Sequence, residues 1–231
     1  MVVFIGGYVV MNFDLTKEQK MIQKMIREFA DEKVAPGAEQ IDKEKRFPKE
    51  IFQQLGDLGI MGLPFPEEYG GGGADTISFA IVVEELSRAC GSTGITYSAH
   101  ISLGGAPLHL FGTEEQKQKY LAPICSGESL GAFGLTEPNA GSDAGGTETE
   151  ASLNDGQWVI NGNKCYITNA SYADHLALTA ITNRKDGEKE ISAIIAPTSA
   201  PGFRVIDNYE KLGLHSSNTT ELVMEDVVVP E

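Results

Sequence analysis

The sequence predicts an α+β fold: an N-terminal all-α helical domain, then an antiparallel β-barrel or β-sandwich domain. Three observations predict it. The first half carries apolar residues at helical spacing behind helix-capping signals, and after Gly127 the spacing changes to the alternation typical of strands. An Asp155-Gly156 pair between two β-rich runs is typical of a hairpin turn. We therefore expect an extension at 1–11, a helical domain at 12–128 and a β domain at 129–231.

The first half divides into short helices. Thr16 and Gln19 have the spacing of a capping box ahead of a one-sided apolar stripe, and Pro36-Gly37 is expected to end or kink that helix. Thr113 and Gln116 repeat the capping spacing, and Pro123 is expected to end the helix that follows. The remaining helices are predicted to start at Pro48, to span 76–90, and to span 95–111 with an interruption near Gly104-Gly105.

The second half divides into strands. Residues 150–153 and 157–160 are predicted to pair across Asn154-Asp155-Gly156, and Asn161-Gly162-Asn163 predicts a second tight hairpin that leads into 164–168. Short antiparallel strands at this spacing suggest a small barrel or sandwich. Further strands are predicted at 175–182, 190–196 and 220–229.

Composition excludes several classes of function. Lys and Arg total 18 against 33 Asp and Glu, and the net charge of −15 repels phosphate backbones, so nucleic acid is not an expected partner. Three well-separated cysteines, Cys90, Cys125 and Cys165, predict reduced thiols and no metal site. No apolar run approaches the roughly 20 residues that a membrane span needs. The extension lacks the features of a signal peptide and is expected to be disordered.

Residues 130–143 form the junction between the two halves. This stretch opens as an apolar run and then turns through Pro138 into small residues with unshielded amides and hydroxyls, which suits a flat, partly polar ligand. Thr136 and Ser142 offer hydrogen bonds to heteroatoms and phosphates. Residues 166–168, Tyr-Ile-Thr, offer an aromatic surface with a hydroxyl beside it.

Other candidate sites are weaker. Ser142 lacks the flanking glycines of a nucleophile elbow, which argues against a hydrolase. The glycines at 70–73 follow no strand and belong to no P-loop motif, so they are expected to form a loop between helices. His100 and His109 are expected to be structural. Glu137 and Asp143 could form a carboxylate pair, but neither has the apolar flanks that raise a pKa for acid–base work.

Two motifs carry a family resemblance. Residues 133–143, Phe-Gly-Leu-Thr-Glu-Pro-Asn-Ala-Gly-Ser-Asp, and residues 162–169, Gly-Asn-Lys-Cys-Tyr-Ile-Thr-Asn, resemble in order and spacing the two signatures of FAD-dependent acyl-CoA dehydrogenases. The resemblance extends over nearly everything from Met11 onward. The stretch at 98–105 looks most like the short-chain, butyryl-type members of the family.

The resemblance implies an activity and partners. Family members desaturate an acyl-CoA thioester between Cα and Cβ: a carboxylate removes the α proton, the β hydrogen leaves as hydride to FAD, and electrons pass to an electron-transfer flavoprotein. It also implies a homotetramer that serves fatty-acid β-oxidation in the bacterial cytoplasm or the mitochondrial matrix. Acyl-CoA oxidases share the flavin motifs but pass electrons to oxygen, so they remain an alternative.

The resemblance also implies site residues. Phe133, Leu135 and Thr136 are expected to line the flavin ring, with Thr136 bonded to its pyrimidine side. Tyr166, Ile167 and Thr168 are expected to cover the opposite side and the region of the flavin N5 atom. Ser142 is expected where the flavin pyrophosphate and the acyl-CoA substrate approach each other.

No catalytic residue is assigned within the chain. The family's catalytic glutamate belongs to a C-terminal four-helix domain, so the resemblance places it beyond Glu231 and implies a truncated chain. Two further hypotheses therefore stay open: a module that binds flavin or acyl-CoA without turnover, and an interaction protein that keeps the fold without the cofactor. No role is assigned to His215.

Overall fold

The computed structural model describes the backbone of residues 2–5, 8–206 and 209–231, and side chains from residue 12 onward within these ranges. The helices are α1 (Lys17–Phe29), α2 (Ala35–Lys43), α3 (Lys49–Asp57), α4 (Thr76–Ala89), α5 (Gly91–Ala99), α6 (Ala106–Phe111), α7 (Glu114–Gln116) and α8 (Ala122–Ser126). Wider π-helical turns at Ala30–Val34, His100–Gly105 and Lys117–Leu121 join successive helices. The strands are β1 (Val2–Ile5), β2 (Tyr8–Met11), β3 (Phe133–Gly134), β4 (Glu150–Asn154), β5 (Gln157–Thr168), β6 (His175–Lys185), β7 (Glu188–Pro197), β8 (Phe203–Ile206) and β9 (Thr219–Pro230).

Both predicted capping boxes are present. The Thr16 hydroxyl accepts from the Gln19 N–H at 3.1 Å, and the Gln19 side chain accepts from the Thr16 N–H at 2.9 Å. The same reciprocal bonds join Thr113 and Gln116 at 3.2 and 2.9 Å. These bonds satisfy N–H groups that a helix start would otherwise leave unpaired, so α1 and α7 begin where local sequence dictates.

Two prolines occupy equivalent places, each in the first turn of a helix that follows a π-helical turn. Pro36 lies in α2, so the chain continues as helix there and does not end. The prediction that Pro123 ends a helix was wrong, because Pro123 lies in the first turn of α8. Proline is tolerated there since the first turn needs no N–H from that residue.

The predicted interruption near Gly104-Gly105 is confirmed, since a π-helical turn separates α5 from α6. Close packing explains why glycine stands there. A Cβ on Gly104 would lie 2.2 Å from the Cα atom of Gly131, so this turn lies directly against the segment that leads into β3. The helical part and the junction are therefore in backbone contact.

Seven strands form one mixed sheet in the order β3-β6-β4-β5-β9-β8, with β7 paired to β6. The sheet curls into half a barrel. Most neighbours are antiparallel as predicted, but β3 and β4 each pair with β6 in parallel, at Phe133–Ala177 and Glu150–Ile181. The expectation of a wholly antiparallel domain is corrected on this point. Strand β8, at the edge beside β9, was not predicted.

The predicted second hairpin at Asn161-Gly162-Asn163 was wrong. Strand β5 runs straight through it, and its pairing with β9 shifts register between Ile160 and Gly162. The extra residue belongs to β9, where Asp226 has a φ of 51°. The Asn161 side chain accepts from the Asp226 N–H at 2.9 Å and so holds a bulge where the sequence suggests a turn.

The core has two clusters. One fills the helical part and includes Ile26, Leu55, Met61, Leu86 and Leu121. The other fills the sheet and includes Ile160, Leu178, Leu222, Met224 and Val227.

The extension expected to be disordered contains two paired strands, β1 and β2, with Val2 opposite Met11, while residues 1, 6 and 7 lie outside the described residues. All three cysteines are unpaired and buried. Within the described ranges no helix combines the length and apolar character required to cross a membrane, and no three potential ligand side chains group around a metal position.

Candidate functional site

Two segments, one from residues 133–143 and one from residues 162–169, lie side by side. The Cys165 N–H of β5 donates to the Thr136 carbonyl at 2.8 Å, and Lys164 Nζ donates to the Leu135 carbonyl at 3.3 Å. These bonds bring the residues that follow β3 against the second half of β5. Phe133 and Thr136 are half-buried there, and Leu135 is 39% exposed.

A β-bulge presents Tyr166 to solvent. Pairing of β5 with β9 shifts register between Lys164 and Ile167, and Tyr166 takes the left-handed region with a φ of 59°. Its side chain is 65% exposed, whereas that of Ile167 is buried in the sheet core. The Tyr166 ring stacks on Tyr209 with centroids 4.8 Å apart. Bulges commonly re-aim a side chain beside a site, and the left-handed conformation of a non-glycine residue indicates local strain.

The end of β5 is fixed to the helical part. Asn169 follows Thr168 with a φ of 71°, and its Nδ2 donates to the carbonyls of Thr96 and Gly131 at 3.1 Å each. Because Asn169 is completely buried, these bonds form in a low-dielectric setting. They set the position of the half-buried Thr168 relative to the junction before β3.

A buried ion pair lies beneath the two segments. Lys164 Nζ is 2.7 Å from Glu137 Oε1, and it also contacts the Thr179 hydroxyl at 3.0 Å. Glu137 in turn accepts from the Thr147 hydroxyl and from the Glu148 N–H, the latter at 2.6 Å. The pair thus joins the loop after β3, strand β5 and the start of β4.

Electrostatics keep this pair charged. Burial raises the pKa of Glu137, but the Lys164 ammonium, the Thr147 hydroxyl and the Glu148 N–H outweigh burial and hold that pKa at about 2. Burial lowers the pKa of Lys164, and Glu137 opposes that shift. Asp143 lies apart on the exposed loop, where its backbone carbonyl accepts from Gly146. Glu137 is therefore an ion-pair partner rather than half of a carboxylate pair.

Several donors at this place have no partner among the residues that the structure describes. The hydroxyls of Thr136, Ser142 and Thr168, and the N–H of Thr136, make no hydrogen bond to any other described residue. Ser142 is exposed on a turn that follows the reciprocal backbone bonds of Glu137 and Ala140, at 3.0 and 3.1 Å. Thr136 and Thr168 lie on the paired segments around Tyr166, whereas no hydrogen bond among the described residues joins Ser142 to that group.

The two histidines of the helical part differ. His100 Nε2 lies 2.9 Å from the Met61 carbonyl, and Nδ1 accepts from the Gly131 N–H at 2.9 Å, so the ring is the neutral Nε2–H tautomer. Burial lowers its pKa to about 4. The structural role predicted for His100 is confirmed. The same prediction for His109 is met only in part, because its buried Nδ1 atom has no hydrogen-bond partner among the described residues.

Comparison with family models shows which protein family the chain belongs to. Residues 16–128 match the family model described as acyl-CoA dehydrogenase, N-terminal domain, and residues 132–227 match the acyl-CoA dehydrogenase middle domain. The chain belongs to the acyl-CoA dehydrogenase family. Nothing in these two matches corresponds to the family's C-terminal domain.

Two curated acyl-CoA dehydrogenases are similar over most of the chain. The probable acyl-CoA dehydrogenase YngJ of Bacillus subtilis is 57% identical over 221 residues, covering 95% of this chain and 58% of that protein. The short-chain specific acyl-CoA dehydrogenase of Clostridium acetobutylicum is 50% identical over 220 residues, with the same coverages of 95% and 58%. The chain therefore spans less than two thirds of the length of these relatives.

Solved structures agree with this family. Butyryl-CoA dehydrogenase from Megasphaera elsdenii has a TM-score of 0.90 at 43% identity, covering 95% of this chain and 58% of that one. An acyl-CoA dehydrogenase complexed with FAD from Bacillus anthracis has a TM-score of 0.86 at 39% identity, covering 94% and 37%. A structure titled for the electron transferring flavoprotein of Acidaminococcus fermentans has a TM-score of 0.91 at 46% identity, covering 95% and 58%.

Sequence reasoning missed the buried pair of Glu137 and Lys164. The signal was available, because each is a charged residue inside one of the two acyl-CoA dehydrogenase motifs. Lys164 precedes the apolar run Cys165–Ile167, and Glu137 follows the apolar run that ends at Leu135. A single charge of each sign at the edge of a buried segment predicts mutual pairing, since an unpaired buried charge is costly.

Proposed function

We propose that this chain forms the flavin-facing part of a FAD-dependent acyl-CoA dehydrogenase that acts on short-chain acyl-CoA thioesters. The observation that carries the proposal is the group of unpartnered donors on Thr136 and Thr168, on two paired segments beside the exposed ring of Tyr166. The short-chain and butyryl-CoA names of two relatives support the substrate class. The complex of a family member with FAD supports the cofactor.

The chemistry of the donors fits a flavin. An isoalloxazine ring has flat faces that need apolar or aromatic contact and edges that need hydrogen bonds. Leu135, Phe133 and Tyr166 would supply the contact, and the hydroxyls of Thr136 and Thr168 would supply the bonds. The side chain of Ile167 is 3% exposed, so its contribution is confined to its backbone. Ser142 would meet the pyrophosphate and the acyl-CoA from the exposed loop.

When bound, FAD supplies the hydride acceptor for desaturation. The chain's own residues would orient the ring through Thr136 and Thr168, and they would exclude water from its face through Leu135 and Tyr166. No base is assigned here, because Glu137 is held as a carboxylate by Lys164 and is not poised to take a proton. The resemblance assigns the base to a C-terminal domain.

The proposal extends to partners. Electrons would pass to an electron-transfer flavoprotein, and the similarity to a structure titled for such a protein supports this choice. From the family resemblance we also propose that the protein assembles into tetramers and takes part in β-oxidation. We propose that it is located in the bacterial cytoplasm or the mitochondrial matrix. An acyl-CoA oxidase would use the same flavin-facing residues and differ in its electron acceptor.

A non-catalytic flavin- or acyl-CoA-binding role is the second candidate. The observation that favours it is the pairing of Glu137, the buried carboxylate beside the site, with Lys164. Addition of butyryl-CoA to the FAD-loaded chain, with acetate supplied as an external base, separates the two roles. Bleaching of the flavin absorbance supports the dehydrogenase, whereas a spectrum that shifts without bleaching supports binding alone.

Titration with FAD, followed by quenching of flavin fluorescence, tests the assignment of the donors. Thr136→Val and Thr168→Val each remove one hydroxyl and are expected to weaken FAD binding about tenfold, the effect of losing one hydrogen bond. Thr182→Val is the matched control, since the Thr182 hydroxyl bonds to Ser192 at 2.9 Å on β7. Equal affinities in the parent and both site variants would overturn the assignment.

A further inference from the structure

We propose that Lys164 is a positioning residue that polarises the Leu135–Thr136 peptide and so strengthens the Thr136 N–H as a donor to a flavin edge that gains negative charge on reduction. This inference rests on the function proposed above. It concerns a buried side chain that would touch neither the cofactor nor the substrate.

The geometry of one peptide unit carries the inference. Lys164 Nζ donates to the Leu135 carbonyl at 3.3 Å, and the peptides of the described chain are all trans. In a trans peptide the C=O and N–H point to opposite sides of the chain. The ammonium therefore lies on the core side of this peptide, and the Thr136 N–H points to the other side. That N–H makes no bond to another described residue.

Burial makes this contact effective. The Lys164 side chain is 0% exposed and that of Glu137 is 3% exposed, so solvent does not screen the charge on the ammonium. A charged donor on a carbonyl strengthens the dipole of the same peptide, and chains of hydrogen bonds reinforce one another. The donor aimed away from the core is therefore stronger than an ordinary backbone N–H.

The other contacts of Lys164 fix where its charge lies. Glu137 Oε1 at 2.7 Å keeps the lysine protonated, and the hydroxyls of Thr179 and Thr147 lie 3.0 and 3.4 Å from Nζ. The Thr179 hydroxyl also donates to the Gly134 carbonyl at 3.5 Å, in the peptide that directly precedes the Leu135–Thr136 peptide. A group needed only to fill the core would not require four oxygen contacts, two of which are to Leu135 and Glu137 in the segment after β3.

A double variant tests the inference. Lys164→Met with Glu137→Gln removes both charges at similar volume and leaves no buried unpaired ion. Lys189→Met is the matched control, because Lys189 holds the same loop from outside through the Thr147 carbonyl at 2.7 Å. Two quantities are measured on the full chain. The dissociation constant for oxidised FAD is measured by titration, and the two-electron reduction potential of the bound flavin is measured on the chain saturated with FAD.

We expect the double variant to bind reduced flavin about tenfold more weakly, relative to oxidised flavin, than the parent does. A tenfold change in that ratio lowers a two-electron potential by about 30 mV. The control variant is expected to keep the parent potential. A purely structural role of Lys164 weakens both redox forms equally, so an unchanged potential in the double variant overturns the inference and leaves the proposed function intact.

The single variant Glu137→Gln keeps the test decisive if the double variant does not fold. It retains the Lys164 ammonium on the Leu135 carbonyl, so its potential is expected to equal or exceed that of the parent. A lower potential would contradict the inference. A parent chain that takes up no FAD overturns the proposed function, and this inference falls with it.

Discussion

Lys164 Nζ lies 2.7 Å from Oε1 of Glu137, and the two side chains are 0% and 3% exposed. This contact joins the two motifs that relate the chain to acyl-CoA dehydrogenases, one in the loop after β3 and one in β5. The residues proposed to face the flavin lie on both sides of this pair.

The pair predicts an asymmetry in stability. Lys164→Met leaves a buried carboxylate without its cation and is expected to lower the free energy of unfolding by about 3–5 kcal/mol. The double variant with Glu137→Gln is expected to recover most of that loss, because the remaining polar groups are neutral. Urea denaturation of the parent, the single and the double variant measures both values. Equal losses in the single and double variants would contradict the account of the pair.

His215, to which the sequence assigned no role, predicts a pH dependence. Its Nδ1 lies 2.9 Å from Asp42 Oδ2 and its Nε2 lies 2.7 Å from the Lys211 carbonyl, so both nitrogens face acceptors and the protonated ring satisfies both. The hydrogen bond that the His215 ring donates to the Asp42 carboxylate raises the pKa of His215 above its ordinary 6.5. The stabilisation is therefore fully present below pH 6.5 and is lost as the pH rises through the raised value.

Denaturation midpoints of the parent and of His215→Gln measure this effect. The midpoints are expected to differ most below pH 6.5 and to converge as the pH rises above the raised pKa of His215, because only the parent loses this bound proton. A difference that stays constant with pH would show that His215 acts through shape alone.

Burial of His100 predicts a dependence of stability on pH that is opposite in sign to that of His215. Burial lowers its pKa from 6.5 to about 4, so the unfolded chain binds a proton more readily than the folded one in this range. Stability is expected to fall by up to about 3 kcal/mol as the pH drops from 6.5 towards 4. Urea unfolding of His100→Asn is expected to show a flatter pH profile than that of the control His109→Asn. Identical profiles for these two variants would rule out His100 as the source.

A variant of Tyr166 is expected to change FAD affinity and the free energy of unfolding to different extents. Glycine at 166 relieves a left-handed conformation that costs roughly 1–2 kcal/mol, but it loses the stacking on Tyr209 and adds chain entropy in the unfolded state. Tyr166→Gly is therefore expected to change the free energy of unfolding by less than about 1 kcal/mol while it weakens FAD binding. Thermal unfolding and FAD titration of the variant check both statements. Parent-like FAD affinity would remove Tyr166 from the site.

Features that depend on near neighbours could be predicted from the sequence. Thr16 and Thr113 begin helices because each bonds to a residue three positions on, and Asp155-Gly156 forms its turn because both residues have positive φ. Thr136 and Thr168 can be proposed as site residues from the sequence for the same reason, because each stands inside a contiguous motif, and their role stays a prediction.

Features set by distant partners could not be predicted. Residues 161–163 have turn-like composition, but β9 pairs alongside them and carries the extra residue at Asp226, so β5 continues. The Tyr166 bulge likewise exists only relative to β9. The sequence neighbours of Glu137 do not predict its ionisation, because the groups that lower its pKa include Lys164, which is 27 positions away.

The proposed flavin site is tested first by the visible absorption spectrum of the purified chain after incubation with FAD and gel filtration. We expect about one flavin per chain to elute with the protein and its spectrum to differ from that of free FAD, because the proposed donors and aromatic face would surround the ring. Thr136→Val combined with Thr168→Val is expected to lose most of this flavin while it remains folded by circular dichroism. A folded parent chain that elutes without flavin at saturating FAD would contradict the proposal that this chain binds FAD.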